Sequence, residues 1–324
     1  MIKRFLQYII IAILGTFGLY FLILIILIPR YVKKLEKPRK IELNNPKLLK
    51  YYDINHEANP ADYGFHNFEE VSFPSSEDKN LILTGWFIHS QEKSDRCLFL
   101  VHGRKSNRQA CLPILEIIRS YELNRSTNIF MIDLRNSGNS SEYSSDLGYR
   151  VSNDLFDGLN FLQSKYDIRT VNMYGFSMGG MATMAMLDFH KEKIENLNLT
   201  IDKIILDSPL SNAKEAIKGE KVHSLVMSDL IYRPFFFVIN RRWDGYLDKL
   251  NFAYLMRDVN HENIIILQSR ADLTTEHDIL HSEIQYFNIK THLFEDGHHT
   301  RIYKKNRDIY EKIIVDFLSE EQFS

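Results

Sequence analysis

The stretch Val171-Asn172-Met173-Tyr174-Gly175-Phe176-Ser177-Met178-Gly179-Gly180 decides how the rest of the chain is read. It reads as a strand, a tight turn that carries a serine, and the start of a helix. In the pattern G-x-S-x-G the turn forces the serine into a strained backbone conformation and leaves no room for side chains on either side. Gly175 and Gly179 supply that room. Taken alone, the pattern fits a plain strand-to-helix turn as well as a nucleophile elbow, so the flanking sequence has to decide.

Working outward, continuous apolar runs of the kind buried on both faces of a parallel sheet occur at 97–101, 129–133, 171–174, 204–207, 264–267 and 292–294. Helical stretches at 112–121, 151–166, 181–194, 276–287 and 309–317 lie between or after them. Ahead of them, 68–73 and 81–88 flank the polar turn 75–80 and read as a hairpin. This alternation predicts one α/β domain, a mostly parallel eight-stranded sheet flanked by helices with an antiparallel edge hairpin. Ligands of such sheets bind at the carboxyl ends of the strands. The residues to inspect there are His102 and Gly103, Asp133, Ser177, Asp207, the segment up to Asp272, and the segment up to His298 and His299.

A chain of 324 residues with 44% hydrophobic content is long enough for one large core. Forty basic and forty-two acidic residues leave a formal net charge of -2, so no overall field selects a polyanion and no nucleic-acid partner is expected. The two cysteines, Cys97 in an apolar run and Cys111 in a helical stretch, read as buried thiols rather than a disulfide framework.

From Phe5 to Pro29 the chain is almost wholly apolar, and an ideal helix of that length spans ~37 Å, enough for a bilayer. Ile28-Pro29-Arg30-Tyr31 offers no small-x-small cleavage site, so 1–30 is expected to be an uncleaved, single-pass transmembrane anchor in contact with the lipid bilayer through 5–29. Lys3 and Arg4 precede the helix, whereas Arg30, Lys33, Lys34, Lys37, Arg39 and Lys40 follow it, a balance that puts the body of the protein on the cytoplasmic side. Residues 31–65, broken by Asn44-Asn45-Pro46 and Asn59-Pro60, read as a linker or a strap over the surface, and 66–320 as the globular domain.

Five features in chain order resemble the α/β-hydrolase family, in the branch with serine-aminopeptidase-like and monoacylglycerol-lipase-like members. They are Val101-His102-Gly103, the turn Asp133 to Ser140, the elbow Gly175 to Gly179, Gln268-Ser269-Arg270-Ala271-Asp272, and Gly297-His298-His299. The resemblance covers about Phe68 to Phe317. It departs from the family at Arg135-Asn136-Ser137-Gly138, where Arg-Gly-x-Gly is usual, and at Arg104 and Lys105, where small or apolar residues often follow the histidine-glycine pair.

The resemblance implies a serine hydrolase with Ser177 as nucleophile, in the order serine, acid, histidine. A serine hydroxyl needs a base within hydrogen-bond reach and an acid to orient that base. Asp272 follows its strand at loop distance and is the chosen acid, with Asp207 one strand earlier as the alternative. Two adjacent histidines compete for the base, and the resemblance favours His299 over His298. The oxyanion hole is expected from the backbone N–H groups of Met178 and Arg104. Arg104, Lys105 and Arg108 near the mouth would suit a substrate with phosphate or carboxylate, or are simply a solvated loop. The lid falls in 208–262, whose aromatic run Tyr232 to Ile239 suggests an apolar group in the substrate.

His277-Asp278-Ile279-Leu280-His281 sets two histidines one helical turn apart, as in H-E-x-x-H zinc sites, but aspartate replaces the glutamate and no third ligand is evident. No phosphate-cradling or dinucleotide glycine loop is present, and no cofactor is implied. The expected function is a membrane-anchored serine hydrolase cleaving an ester, thioester or amide of a small-molecule, lipid or peptide-like substrate through an acyl-enzyme. The alternative is a catalytically silent fold of the same type serving as a tethered binding module.

Overall fold

Apolar runs bounded by turn residues become strands where both faces can be covered, and the computed structural model shows this for the whole middle of the chain. It describes residues 2–22, 25–26, 28–219 and 229–319. Parts of the expected anchor (1, 23, 24 and 27), of the expected lid (220–228), and residue 320 of the expected domain therefore lie outside the described residues.

The strands are β1 (Phe68–Pro74), β2 (Ile82–Ile88), β3 (Arg96–Val101), β4 (Asn128–Asp133), β5 (Thr170–Phe176), β6 (Thr200–Asp207), β7 (Ile264–Ser269) and β8 (Lys290–Phe294). They form one eight-stranded sheet in the order β1-β2-β4-β3-β5-β6-β7-β8. The β1–β2 and β2–β4 pairs are antiparallel and the rest parallel. The α-helices are α1 (Ile2–Leu22), α2 (Ile28–Glu36), α3 (Pro46–Tyr52), α4 (Leu112–Ser120), α5 (Tyr149–Tyr166), α6 (Met178–Phe189), α7 (Lys191–Glu195), α8 (Ala213–Gly219), α9 (Asp229–Arg242), α10 (Phe252–Leu255), α11 (His277–Ile284) and α12 (Arg307–Ser319).

Side chains alternate along each strand, so the sheet separates two cores. Phe99, Val101, Val171, Met173 and Leu206 pack with α5 and α6 on one face. Leu98, Leu100, Tyr174, Ile205 and Leu267 pack with α4 and α12 on the other. Expected helix bounds shift where glycine was read as punctuation: α6 begins at Met178, not near Met181. Gly179 and Gly180 sit inside it because the helix must pass close to its neighbours, as the site shows below.

Two helices of the N-terminal region pack on the domain, α3 in the stretch read as a linker or strap and α2, which starts inside the expected anchor at Ile28 and so takes the end of 5–29 out of any bilayer and into the core. Ile28, Val32 and Leu35 of α2 are buried in the first core with Phe235 and Ile239 of α9. Glu36 receives a two-pronged bond from Arg242 (2.6 and 2.8 Å) and one from Trp243 Nε1 (3.2 Å). Asn45 caps α3 through the Lys47 and Leu48 amides, and Pro46 opens the helix where no N–H is needed. Leu48, Leu49 and Tyr52 join the second core. Ahead of them, Lys3–Leu22 is long and apolar enough to cross a membrane and is exposed rather than packed.

The turn after β4 is held by charge. Arg135 lies on Asp154 through Nε (2.9 Å) and Nη2 (2.8 Å) and on Glu77 Oε2 (2.7 Å), with the Arg135 and Asp154 side chains both at 0% exposure. Breaking such a pair strands the remaining charge in the interior. Arg135→Met is expected to lower the unfolding free energy by about 3–5 kcal/mol in urea denaturation; a wild-type midpoint would contradict this account.

Candidate active site

At the end of β5 the backbone reverses within one residue. Ser177 has φ 53 and ψ -117, a conformation unfavourable for a non-glycine residue. The reversal is possible because the strand and helix backbones nearly touch. A Cβ on Gly175 would lie 2.7 Å from the Gly180 nitrogen, and one on Gly179 would lie 2.5 Å from the Val101 carbonyl oxygen and 2.8 Å from that of His102. Ser177 donates its N–H to Asp207 O (3.0 Å) and accepts from Leu210 N (3.0 Å), which ties the turn to the next strand end.

The structure brings Ser177, His299 and Asp272 into one hydrogen-bonded line. Ser177 Oγ is 2.9 Å from His299 Nε2, and His299 Nδ1 is 2.7 Å from Asp272 Oδ2. A carboxylate facing Nδ1 keeps the ring proton there and leaves the Nε2 lone pair toward the serine. Asp272 is buried, and Thr274 and Thr275 donate backbone N–H bonds to Oδ1 (2.8 and 3.1 Å) while the Thr275 hydroxyl donates to Oδ2 (2.9 Å). Burial pushes its pKa up, but the bond and charge of His299 and these N–H donors outweigh burial and hold it below the usual carboxylate value. His298, by contrast, is exposed.

Asp207, the alternative acid, is kept from the imidazole by other partners. Its carboxyl accepts from the Ser208 hydroxyl (2.7 Å) and from the Tyr310 phenol, which also meets the Tyr174 phenol. Burial pushes the Asp207 carboxyl up to about 6. Asp133 is spent on structure, accepting from the amides of Arg108 (2.9 Å) and Asn139 (3.0 Å). One expectation needs correcting: Arg108 is not at the mouth. It is fully buried, its guanidinium 3.4 Å from Asp133 and 2.9 Å from Glu70 and stacked 4.3 Å from the Trp86 ring, because Asp133 at the end of β4 and Glu70 within β1 draw it inward.

A cavity of about 950 Å³ opens over Ser177 and His299. Met178, Arg104, Lys105, Leu210, Tyr232 and Leu273 are among the residues that line it. The aromatic run of the expected lid divides its work: Tyr232 faces the cavity, Phe235 packs in the core 5.4 Å from Tyr31, and Phe237 is exposed. His277 and His281 stack their rings at 5.9 Å, and no group of three metal-ligating side chains forms among the described residues.

The family model described as the alpha/beta hydrolase fold matches residues 98–298. The chain belongs to the α/β-hydrolase family. Solved structures agree in fold: an esterase of Pyrococcus furiosus (17% identity, covering 88% of this chain and 97% of that one, TM-score 0.63) and an α/β hydrolase of Vibrio vulnificus (16%, 87% and 88%, 0.57) are similar to it. So is an α/β hydrolase of a Penicillium species (14%, 78% and 97%, 0.53). At such identities the likeness extends to the fold alone. No curated protein matches the chain at the sequence level.

Four further residues contribute to this α/β-hydrolase site: His102, which the sequence motifs mark, and Thr275, Tyr51 and Tyr52, which carry no signal in them. His102 is buried, and burial lowers its pKa, so the ring is neutral. Its Nδ1–H donates to Gly103 O (2.8 Å) while Nε2 accepts from Leu134 N (3.1 Å), which shapes the loop that passes Ser177. The Thr275 hydroxyl supports Asp272. Tyr51 and Tyr52 reach the histidine loop from 248 residues away in sequence.

The raised Asp207 carboxyl has a stability consequence. Because its folded-state value of about 6 exceeds the ordinary 3.8, the group favours folding fully below about pH 4, and that contribution is lost as pH rises through about 6, on the order of 3 kcal/mol. In Asp207→Asn this slope is expected to vanish. Urea midpoints of wild type and variant compared from pH 4 to 7 check it, and a difference independent of pH would refute the assignment.

Proposed function

We propose that this α/β-hydrolase is a serine hydrolase, tethered to a bilayer by α1, that cleaves an ester, thioester or amide through an acyl-enzyme. The observation that carries the reading is the unbroken line from Ser177 Oγ to His299 Nε2 and from His299 Nδ1 to Asp272 Oδ2, at 2.9 and 2.7 Å. In the first half-reaction Ser177 Oγ attacks the substrate carbonyl carbon while His299 Nε2 takes its proton. Ionised Asp272 stabilises the imidazolium that results. The tetrahedral oxyanion is assigned to the N–H groups of Met178 and Arg104, which line the cavity with Ser177. Collapse breaks the bond to the leaving group, which departs with the proton from Nε2. Water then attacks the same carbonyl with His299 again as base, and Ser177 is released.

The tether is supported by the length and apolarity of Lys3–Leu22, and the excess of basic residues from Arg30 to Lys40 favours a cytoplasmic hydrolase domain. A small-molecule, lipid or peptide-like substrate suits a cavity of about 950 Å³ whose lining mixes Leu210, Tyr232 and Leu273 with Arg104 and Lys105.

A fluorophosphonate probe is expected to label the wild type and not Ser177→Ala. Absence of labelling on the folded wild type would return the chain to a silent binding module. His299→Ala is expected to lower kcat on a p-nitrophenyl ester by about 10⁴-fold or more, whereas His298→Ala changes it little; the reverse result would reassign the base.

A further inference from the structure

The residue after the proposed base is held in a conformation it does not favour. Thr300 has φ 54. A β-branched residue in the left-handed region is a genuine outlier and persists only where its surroundings over-determine it. Thr300 is buried, and its peptide also sets where the His299 ring stands, since the two residues share that bond.

Two separate parts of the chain hold this turn. From below, Ser208 Oγ accepts the Thr300 N–H (3.0 Å) while its own proton goes to Asp207 (2.7 Å), which Tyr310 in turn supports. From above, the Tyr52 phenol meets Thr300 Oγ1 (2.7 Å), Thr300 Oγ1 donates to His299 O (2.7 Å), and the Tyr51 phenol donates to the same oxygen (2.8 Å). Burial keeps the Tyr52 phenol protonated, so it remains a donor. The grip continues past the turn: Arg301 stacks 4.0 Å from the Tyr51 ring, and Lys304 pairs with Asp53 just after α3. Neither Tyr52 nor Ser208 lines the cavity.

We infer that Tyr52 and Ser208 are positioning residues that hold the His299–Thr300 peptide in its left-handed turn and so keep Nε2 on Ser177 Oγ, which makes helix α3 of the segment between the apolar N-terminal helix and the sheet a working part of the active site. This rests on the reading of His299 as the base. The turn has one competent geometry, two hydroxyls on elements far apart in sequence maintain it, and loss of either lets Thr300 relax toward negative φ and carry the imidazole with it. A displacement of about 1 Å between reacting groups is enough to cost up to a hundredfold in rate.

The test uses the full chain and four variants: Tyr52→Phe, Ser208→Gly, Thr300→Gly and the double variant Tyr52→Phe/Thr300→Gly. Tyr52→Phe removes only a hydroxyl. Ser208→Gly removes the hydroxymethyl group at a site whose φ of 48 suits glycine. Each single loss is expected to lower kcat on a p-nitrophenyl ester, and the rate of fluorophosphonate labelling, roughly ten- to hundredfold, with KM and Tm near wild type. Because both hydroxyls act through Thr300, the double variant should be no slower than Thr300→Gly alone. A Tyr52→Phe enzyme with wild-type kcat, or one whose loss adds in full to that of Thr300→Gly, overturns the clamp while leaving the hydrolase reading intact. A fall in rate matched by a fall in Tm overturns it in favour of a merely structural role. A wild type that the probe does not label fails one step earlier, overturning the hydrolase reading and this inference with it.

Discussion

The close approach of three pieces of backbone at the elbow is the constraint on which the site depends. The carbonyl oxygens of Val101 and His102 come so near to Gly179 that even a methyl group there would overlap them. That contact seats α6 directly on the end of β3, turns Ser177 outward, and brings the 102–104 loop against the serine, where a Cβ on Gly103 would lie 3.0 Å from Ser177 Cβ. The hydrogen bonds from Ser177 to Asp207 and from Leu210 to Ser177 then fix the next strand end relative to the same turn. Because strands β3, β5, β6, β7 and β8 are hydrogen-bonded neighbours, their carboxyl ends need only short loops to bring Ser177, Asp272 and His299 within hydrogen-bond reach of one another.

Two aspartates end neighbouring parallel strands or their loops, and their environments divide them. Asp272 faces an imidazole and receives two backbone N–H groups, so its charged form is favoured despite burial. Asp207 receives hydroxyl donors instead, and burial outweighs them and raises its carboxyl to about 6. Identical carboxyls thus become a fixed negative charge under a histidine and a more readily protonated post beneath a turn.

Much of the fold was legible because strands covered on both faces must be continuously apolar, and all eight were visible as such or as a hairpin. The residues that the structure brings into one hydrogen-bonded line were legible too, since Ser177, Asp272 and the histidine pair each follow a strand at loop distance. The choice between His298 and His299 was not a matter of composition: it depends on the direction in which the chain leaves Gly297, whose φ is 135, and on the turn at Thr300. Arg108 misled because a basic side chain one turn beyond His102-Gly103 looks like a rim residue until its carboxylate partners, buried Asp133 and half-exposed Glu70, are known. Tyr51 and Tyr52 were unreadable for a related reason, as contacts spanning 248 positions leave no local period. Helix ends at glycine were misjudged because glycine can mark close packing inside a helix as well as a stop.

The docking of α2 against α9 gives the chain a short leash. Ile28 is already part of the core, and α1 ends at Leu22, so the connection extends over roughly 20 Å at most. On the proposed reading of α1 as an anchor, the hydrolase does not sweep a volume at the end of a flexible tether. It hovers within a layer barely thicker than itself, and the quantity that governs encounter is then the number of substrate molecules per unit area of that layer rather than their concentration in bulk.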